Sequence, residues 1–367
     1  MARDDLSRNV YCVLGMPIDV GGMLSVIRDI EAAAASRLPL FISTPNLNWL
    51  VNIQSDPDFR ETLLQSDLCP ADGSPIVWIA RLFGVPIKTR IAGSDIFEAL
   101  KVRRNFGNPL RVFLFGGAEG VATTACRALN TQPSGLYCVG SLYPGFGSVD
   151  DMSHDDIINK INRSNADFLI VSLGAKNGQL WLRRNRHRLL TPVRAHLGAV
   201  INFQAGTIRR APPALQRLGL EWLWRIKEEP HLWRRYWNDG RVLLRLLFTR
   251  VLPLVIWTRW LQLKYGRDRR GLIVDQVCNG ESITLSLSGP ATARHVDKII
   301  PALRNAIAVK KRIVINFSNT SVVDARFLGL LLMLRKELNN NGASLSFIGL
   351  SSMLERIFHL NSLDFLL

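Results

Sequence analysis

RVFLFGGAEG, Arg111 to Gly120, places four apolar residues in a row between an arginine and a glycine-rich turn. A short apolar run rich in valine and aromatics that stops at glycine reads as a buried strand. The stretch after it, Gly120 to Asn130, reads as the helix it feeds. Similar runs recur at Leu38 to Thr44 (LPLFIST), Gly135 to Ser141 (GLYCVGS), Asp167 to Gly174 (DFLIVSLG) and His196 to Gly206 (HLGAVINFQAG). Helical patterning fills the intervals at Gly22 to Ser36, Ser94 to Asn105, Met152 to Ser164 and Asn177 to Leu190. Strands alternating with helices give an α/β fold, a wound sheet with substantial parallel character whose ligands sit at the carboxyl ends of the strands.

Polar residues cluster where those strands end. STPNLNW brings the Thr44 hydroxyl and the Asn46 and Asn48 amides to the mouth of the sheet, groups suited to orienting hydroxyls. In CPADGSPIVW, Asp72 precedes Gly73, and a carboxylate beside a permissive glycine is either a general base or a turn-forming Asp. GGAEG offers the bare amides of Gly116 and Gly117 to a phosphate or nucleotide, although it is not a GxGxxG. RIAGSD, with Arg90, reads as a helix entrance capped by Ser94 or Asp95, and LGAKNGQLW sets Gln179 just beyond a strand. Asp150-Asp151 and Asp155-Asp156 sit at a polar helix start, where they serve as caps and dipole partners rather than as a DxD metal motif. No cofactor or metal is called for.

Charge is concentrated elsewhere. The formal net charge is +16, and residues 208 to 270 hold 15 Lys and Arg against 5 acids. A basic patch of this kind implies a polyanionic partner: a lipid surface, a nucleotide phosphate or nucleic acid. Nucleic acid is disfavoured because no helix-turn-helix, zinc-ligand spacing or basic zipper accompanies the charge. GLEWLWRIKEEPHLWRRYWND, Gly219 to Asp239, interleaves Trp222, Trp224, Trp233 and Trp237 with Arg225, Arg234 and Arg235. Forked guanidinium donors suit phosphate oxygens and tryptophan suits a half-wet boundary. The alternative is an aromatic stripe packed on the protein, its arginines paired with Glu221, Glu228 and Glu229. From Arg241 to Arg270, large apolar residues are interrupted by Arg245, Arg250 and Arg259 and by Pro253. That reads as one or two helices in the headgroup region of an anionic membrane, arginines snorkelling outward, with helices buried against another domain as the alternative.

At 367 residues and 47% hydrophobic content the chain has room for two domains or more. MARDDLSRNV is polar and suggests no secretory leader. The five cysteines, Cys12, Cys69, Cys126, Cys138 and Cys278, form no CxxC pair and fit reduced cytosolic thiols better than a disulfide framework.

STPNLNW, ADGSPIVW, RIAGSD, VFLFGG, LYPGF, SLGAKNGQ, NFQAGTIRRAP and GLEWLWRIKEEPHLWRRY, in that order, resemble the WecG/TagA/CpsF glycosyltransferases, family 26 of the glycosyltransferase classification, over residues 10 to 245. The resemblance implies a Rossmann-like GT-E core completed by an arginine-bearing appendage. It also implies a peripheral enzyme on the cytoplasmic face of a bacterial inner membrane. That enzyme would move a sugar with inversion from a UDP-sugar to a polyprenyl-pyrophosphate-linked saccharide, in exopolysaccharide or cell-surface polysaccharide biosynthesis. By resemblance Asp72 matches the base, Thr44 and Asn46 the pocket beside it, and Arg90 and Gln179 further polar positions. Arg225, Arg234 and Arg235 match the residues expected to hold the donor diphosphate. Gly116, Gly117 and Asn202 are counted with the substrate contacts, although Asn202 in INFQAG stands where many members carry an acid.

The tail, residues 271 to 367, begins with a hairpin signal at Asn279-Gly280 and continues helix, strand, helix, strand, helix. It resembles a STAS domain. In regulatory STAS proteins a phosphorylated serine motif opens the helix after the central strand; VVDARFLG keeps Asp324 but has Ala325 and Arg326 at the serine places, so no phosphoswitch operates there. A docking or self-association module is expected instead. The sequence thus divides at 1–207, 208–270 and 271–367. Two classes of function are carried forward, a membrane-surface glycosyltransferase and a non-catalytic adaptor, and the intact Thr44, Asn46, Asp72, Arg90 and Gln179 favour the first.

Overall fold

A computed structural model describes residues 4–103, 108–265 and 271–367. The chain folds as two compact units, one of residues 21–76 and 88–240, the other of residues 4–20, 77–87 and 241–367. Segments that the sequence division keeps apart are thereby interleaved.

The hairpin strands β1 (Val10–Val13) and β2 (Met16–Asp19) precede α1 (Met23–Ser36), β3 (Leu40–Ile42), α2 (Leu47–Ile53), α3 (Pro57–Leu64), α4 (Ser74–Leu82) and α5 (Gly93–Val102). Then come β4 (Leu110–Gly116), α6 (Val121–Asn130), β5 (Leu136–Leu142), α7 (Asp155–Arg163), β6 (Phe168–Ser172), α8 (Ala175–Arg184), β7 (Val193–His196) and α9 (Val200–Ala205). In the first unit five parallel strands run in the order β3-β7-β6-β4-β5. The apolar runs read as strands are its centre: Val112, Leu114, Phe168 and Ile170 face one core, Phe113, Phe115, Leu169 and Val171 the other. Burial on both faces explains why these strands read as continuous rather than alternating runs.

The strand expected from His196 to Gly206 is corrected: of that stretch only His196 belongs to a strand, and Val200–Ala205 is a short helix closed by Gly206 in the left-handed region. The cysteines are corrected too. Cys126 on α6 is joined to Cys138 on β5, while Cys12, Cys69 and Cys278 stand outside any disulfide. Of the acids at the polar helix start, Asp155 and Asp156 lie in the first turn of α7 as dipole partners. The expected capping is corrected, since the N-cap is His154, without a side-chain bond, and Asp151 accepts instead from the Ser148 amide at 2.8 Å.

The appendage comprises α10 (Pro213–Arg217), α11 (Glu221–Glu228), α12 (Trp233–Leu246) and α13 (Leu252–Tyr265). Pro253 cannot donate to the helical ladder, and a π turn over Leu247–Val251 absorbs the defect, Leu252 N–H bonding the Leu247 carbonyl. In the second unit Leu246, Val251, Leu254, Val255 and Leu261 are buried, whereas Leu244, Phe248, Leu252, Ile256 and Trp260, each four residues apart, are 42% to 68% exposed. Arg250 does not snorkel: it donates to the His359 carbonyl and to Ser362. Arg245 and Arg259 are exposed. Among the described residues no helix is long and apolar enough to cross a membrane.

The tail forms β8 (Ile273–Asn279), β9 (Ser282–Ala291), α14 (Val296–Ala308), β10 (Arg312–Val323), α15 (Ala325–Asn340), β11 (Leu345–Ile348) and α16 (Ser352–Leu360), with sheet order β11-β10-β9-β8. β8 and β9 pair antiparallel across Asn279 and Gly280, as expected, while β10 is parallel to both its neighbours. Asp324 caps α15, accepting from Phe327 N–H at 2.9 Å. The β1-β2 hairpin covers α15. Gly329 permits this approach, because a Cβ there would strike the Val10 carbonyl. Arg326, at a serine place of the regulatory motif, donates to the Val10 and Arg8 carbonyls at 3.1 and 3.0 Å. Buried Lys336 pairs with Asp5 at 2.8 Å. This face of the STAS-like unit is therefore filled by the chain's own residues, leaving its edge strand β8 exposed along nearly its whole length.

Candidate active site

The carboxyl end of β3 leads through Ser43 and Thr44 into Pro45 and Asn46, the N-cap of α2. The Asn46 side-chain oxygen accepts from the Trp49 amide at 3.3 Å, so part of its hydrogen-bonding capacity goes to the cap. Asp72 N–H bonds the Pro45 carbonyl at 3.0 Å and Ile91 N–H the Ala71 carbonyl at 2.8 Å, drawing three loops together. A Cβ on Gly73 would lie 3.8 Å from Asn46 Cβ, and one on Gly93 3.4 Å from Thr44 Oγ1. Gly73 has φ +84°, a left-handed conformation that turns the chain immediately after Asp72. Thr44, Asn46, Asp72 and the Arg90 loop therefore converge at the carboxyl edge of the sheet.

Burial pushes the Asp72 carboxyl up to about 7; Arg90 opposes the shift, while Asp95 and Glu221 add to it. A carboxyl poised near neutrality is what a general base needs. Arg90 is not free. Its guanidinium grips both oxygens of Glu221, at the head of α11, with Nη2 2.7 Å from Oε1 and Nη1 bonded to Oε2. That pair raises the Arg90 pKa further. Arg210 pairs with Asp95, whose other oxygen accepts from Ala92 N–H at 3.2 Å. Asn48 donates to both oxygens of Asp239 on α12, at 3.1 and 3.2 Å, and burial raises the Asp239 pKa. Glu221, Asp239, Arg210 and Asp95 were missed as site residues. The bonds link positions 115 to 191 residues apart, and no local spacing signals them.

Gln179 is fully buried on α8; its Oε1 accepts from Ser43 Oγ at 3.2 Å, leaving Nε2 without a partner. His196, at the end of β7, was also missed. It is buried against Gly178, its Nε2 is unpartnered, and burial lowers its pKa to about 4, so it is neutral. The Gly117 amide is spent on the Ser172 carbonyl at 2.8 Å, and a Cβ on Gly116 would strike the same carbonyl. These glycines serve close β4-β6 approach, and the expected phosphate-facing role of the Gly117 amide is corrected on that ground. Asn202 lies in α9, its carbonyl capping Gly206 and Thr207.

The appendage arginines behave in mixed fashion. Arg225 pairs with Glu229 and packs over Phe203, as in the alternative of an internally paired helix. Arg234 and Arg235 are exposed and lie over the rings of Trp233 and Tyr236. The appendage charge that acts on Asp72 is Glu221.

Residues 11–254 match a family model described as the glycosyl transferase WecG/TagA/CpsF family, and residues 275–367 one described as Mlab, STAS domain. The chain is similar to the N-acetylglucosaminyldiphosphoundecaprenol N-acetyl-beta-D-mannosaminyltransferase of Bacillus spizizenii, 29% identical over 195 residues, 53% of this chain and 74% of that protein. Proteins of the same name from Bacillus subtilis and Staphylococcus aureus are 28% and 24% identical, covering 56% and 61% of this chain and 78% and 85% of theirs. Among solved structures, the Bacillus cell fate determinant SpoIIAA in its phosphorylated form is 20% identical, with a TM-score of 0.23, over 26% of this chain and 87% of that one.

Proposed function

We propose, from the premise that this chain belongs to the WecG/TagA/CpsF family of glycosyl transferases, that it moves an N-acetylated amino sugar from a UDP-sugar to a lipid-diphosphate-linked saccharide at an anionic membrane surface. The names of the relatives support the acceptor class, an N-acetylglucosaminyldiphosphoundecaprenol. The observation that carries the reading is the convergence of Thr44, Asn46 and Asp72 at the sheet's carboxyl edge, with Asp72 held near neutrality. There Asp72 takes the proton of the acceptor hydroxyl as that oxygen attacks the anomeric carbon. The bond to the nucleoside diphosphate breaks with inversion. Arg234 and Arg235, exposed and rigidified over aromatic rings, supply charge for the departing diphosphate.

The apolar stripe on α12 and α13, flanked by exposed Arg241, Arg245 and Arg259, suits the interfacial region of a membrane, where the acceptor lipid resides. Polysaccharide assembly for the cell surface is the context this chemistry fits.

The test is the mass of the product. Full-length protein incubated with UDP-N-acetylhexosamines and a polyprenyl-diphosphate N-acetylglucosamine analogue should yield an acceptor heavier by one N-acetylhexosamine residue. An unchanged acceptor with every UDP-sugar, in a preparation that binds UDP, would sink the donor assignment.

A further inference from the structure

We propose that Glu221 is a positioning residue of the transfer reaction: by taking both arms of the Arg90 fork it keeps that guanidinium off the Asp72 carboxylate. The inference rests on the reading of Asp72 as the base.

The geometry leaves Arg90 a short choice of partners. Around Asp72 stand Arg90 from the loop before α5, Asp95 from the first turn of α5, Glu221 from the head of α11 and the Gly73 backbone N–H. Asp95 is already engaged, one oxygen by Arg210 and the other by Ala92 N–H. Glu221 meets Arg90 bidentately, in a pair whose side chains are 17% and 29% exposed. With Glu221 removed, the carboxylate still open to Arg90 is Asp72. A carboxylate clasped by a guanidinium fork is a weak base, because the proton it must accept competes with two charge-assisted hydrogen bonds. Glu221 is well supported in its own place. It heads a helix whose N-cap residue, Leu220, offers no side-chain cap, and a carboxylate in the first turn is favoured by the helix dipole.

The same pair couples the appendage to the base. Glu221 reaches Asp72's surroundings only while α11 is seated, and α12 is seated separately through Asn48 and Asp239.

The experiment is the pH dependence of kcat/KM of the full chain with UDP-sugar and the soluble acceptor analogue. Glu221→Gln keeps the shape and a hydrogen bond but drops the charge. It should move the acid limb down by about one unit and lower the plateau. Arg90→Gln removes the attraction and should move the limb up. Both shifts together support the proposal. Folded variants, checked by circular dichroism, whose limb stays at the wild-type position while only the plateau falls would overturn it, since a purely structural contact scales the rate without moving the base. If Glu221→Gln does not fold, Glu221→Asp decides: one methylene shorter, it cannot hold both arms of the fork, so a limb moved down supports the proposal and an unmoved one overturns it. Asp72→Asn separates the two claims. A wild-type limb in that variant refutes the base assignment itself. A limb lost in Asp72→Asn yet unmoved in Glu221→Gln and Arg90→Gln refutes only the role of Glu221.

Discussion

Asp72→Asn lowers turnover by about 100-fold or more while leaving the fold and donor binding in place, the loss expected when a general base is removed from an otherwise intact site. Wild-type kcat/KM rises with pH through an apparent pKa near 7, because the carboxylate must be ionised to act and burial holds its proton that far up. In Asp72→Asn that acid limb disappears. Stability moves in the opposite sense. Between the ordinary carboxylate range and pH 7 the native state holds a proton that the unfolded chain has released, so wild-type stability falls as pH rises through that window. The Asn variant lacks this loss and should be at least as stable as wild type at about pH 8 by urea unfolding. A variant with wild-type turnover would return Asp72 to a turn-forming role.

The double substitution Phe248→Glu, Ile256→Glu abolishes association with anionic liposomes. Both side chains are 68% exposed on the apolar stripe, Phe248 on the π turn and Ile256 on α13, so the folded protein loses no core contact. Burial of each in the interface contributes roughly 1.5–3 kcal/mol, and replacing both by carboxylates adds repulsion from acidic lipid, which together outweigh an ordinary peripheral affinity. Flotation of wild-type protein should require acidic phospholipid and weaken as salt rises. Undiminished flotation of the double variant would place the membrane contact elsewhere. Equal binding of wild type to neutral vesicles in high salt would remove the electrostatic part.

What the sequence made legible follows from physics that acts locally. Strands β4 and β6 were readable because both faces are buried, which writes an uninterrupted apolar run closed by Gly116 or Gly174. The hairpin of β8 and β9 announced itself through Asn279-Gly280. His196 to Gly206 was misread because an apolar stretch of Val, Ile and Phe carries the same composition in a strand and in a short buried helix. The signal that would have separated them was Gly206 as a C-cap. The hairpin of β1 and β2 was not seen: its tight turn places Leu14 at φ 50° ahead of Gly15, not the Asn-Gly pair that marks such turns. In the site, Thr44 and Asn46 could be found because they follow β3, and Asp72 through its Asp-Gly pair and the family resemblance, whereas Glu221, Asp239 and Arg210 act through bonds between distant parts of the chain. The Cys126–Cys138 pairing lay equally beyond a spacing argument, since its partners are brought together by the packing of α6 on β5.

Release of UDP, followed with UDP-N-acetylhexosamines in the presence and absence of the polyprenyl-diphosphate N-acetylglucosamine analogue, tests the central claim most directly. Wild-type protein should release UDP in step with acceptor consumed, and Asp72→Asn should release about 100-fold less under the same conditions. UDP release that is independent of acceptor, or equal in the two proteins, would contradict transfer to the lipid-linked saccharide with Asp72 as its base.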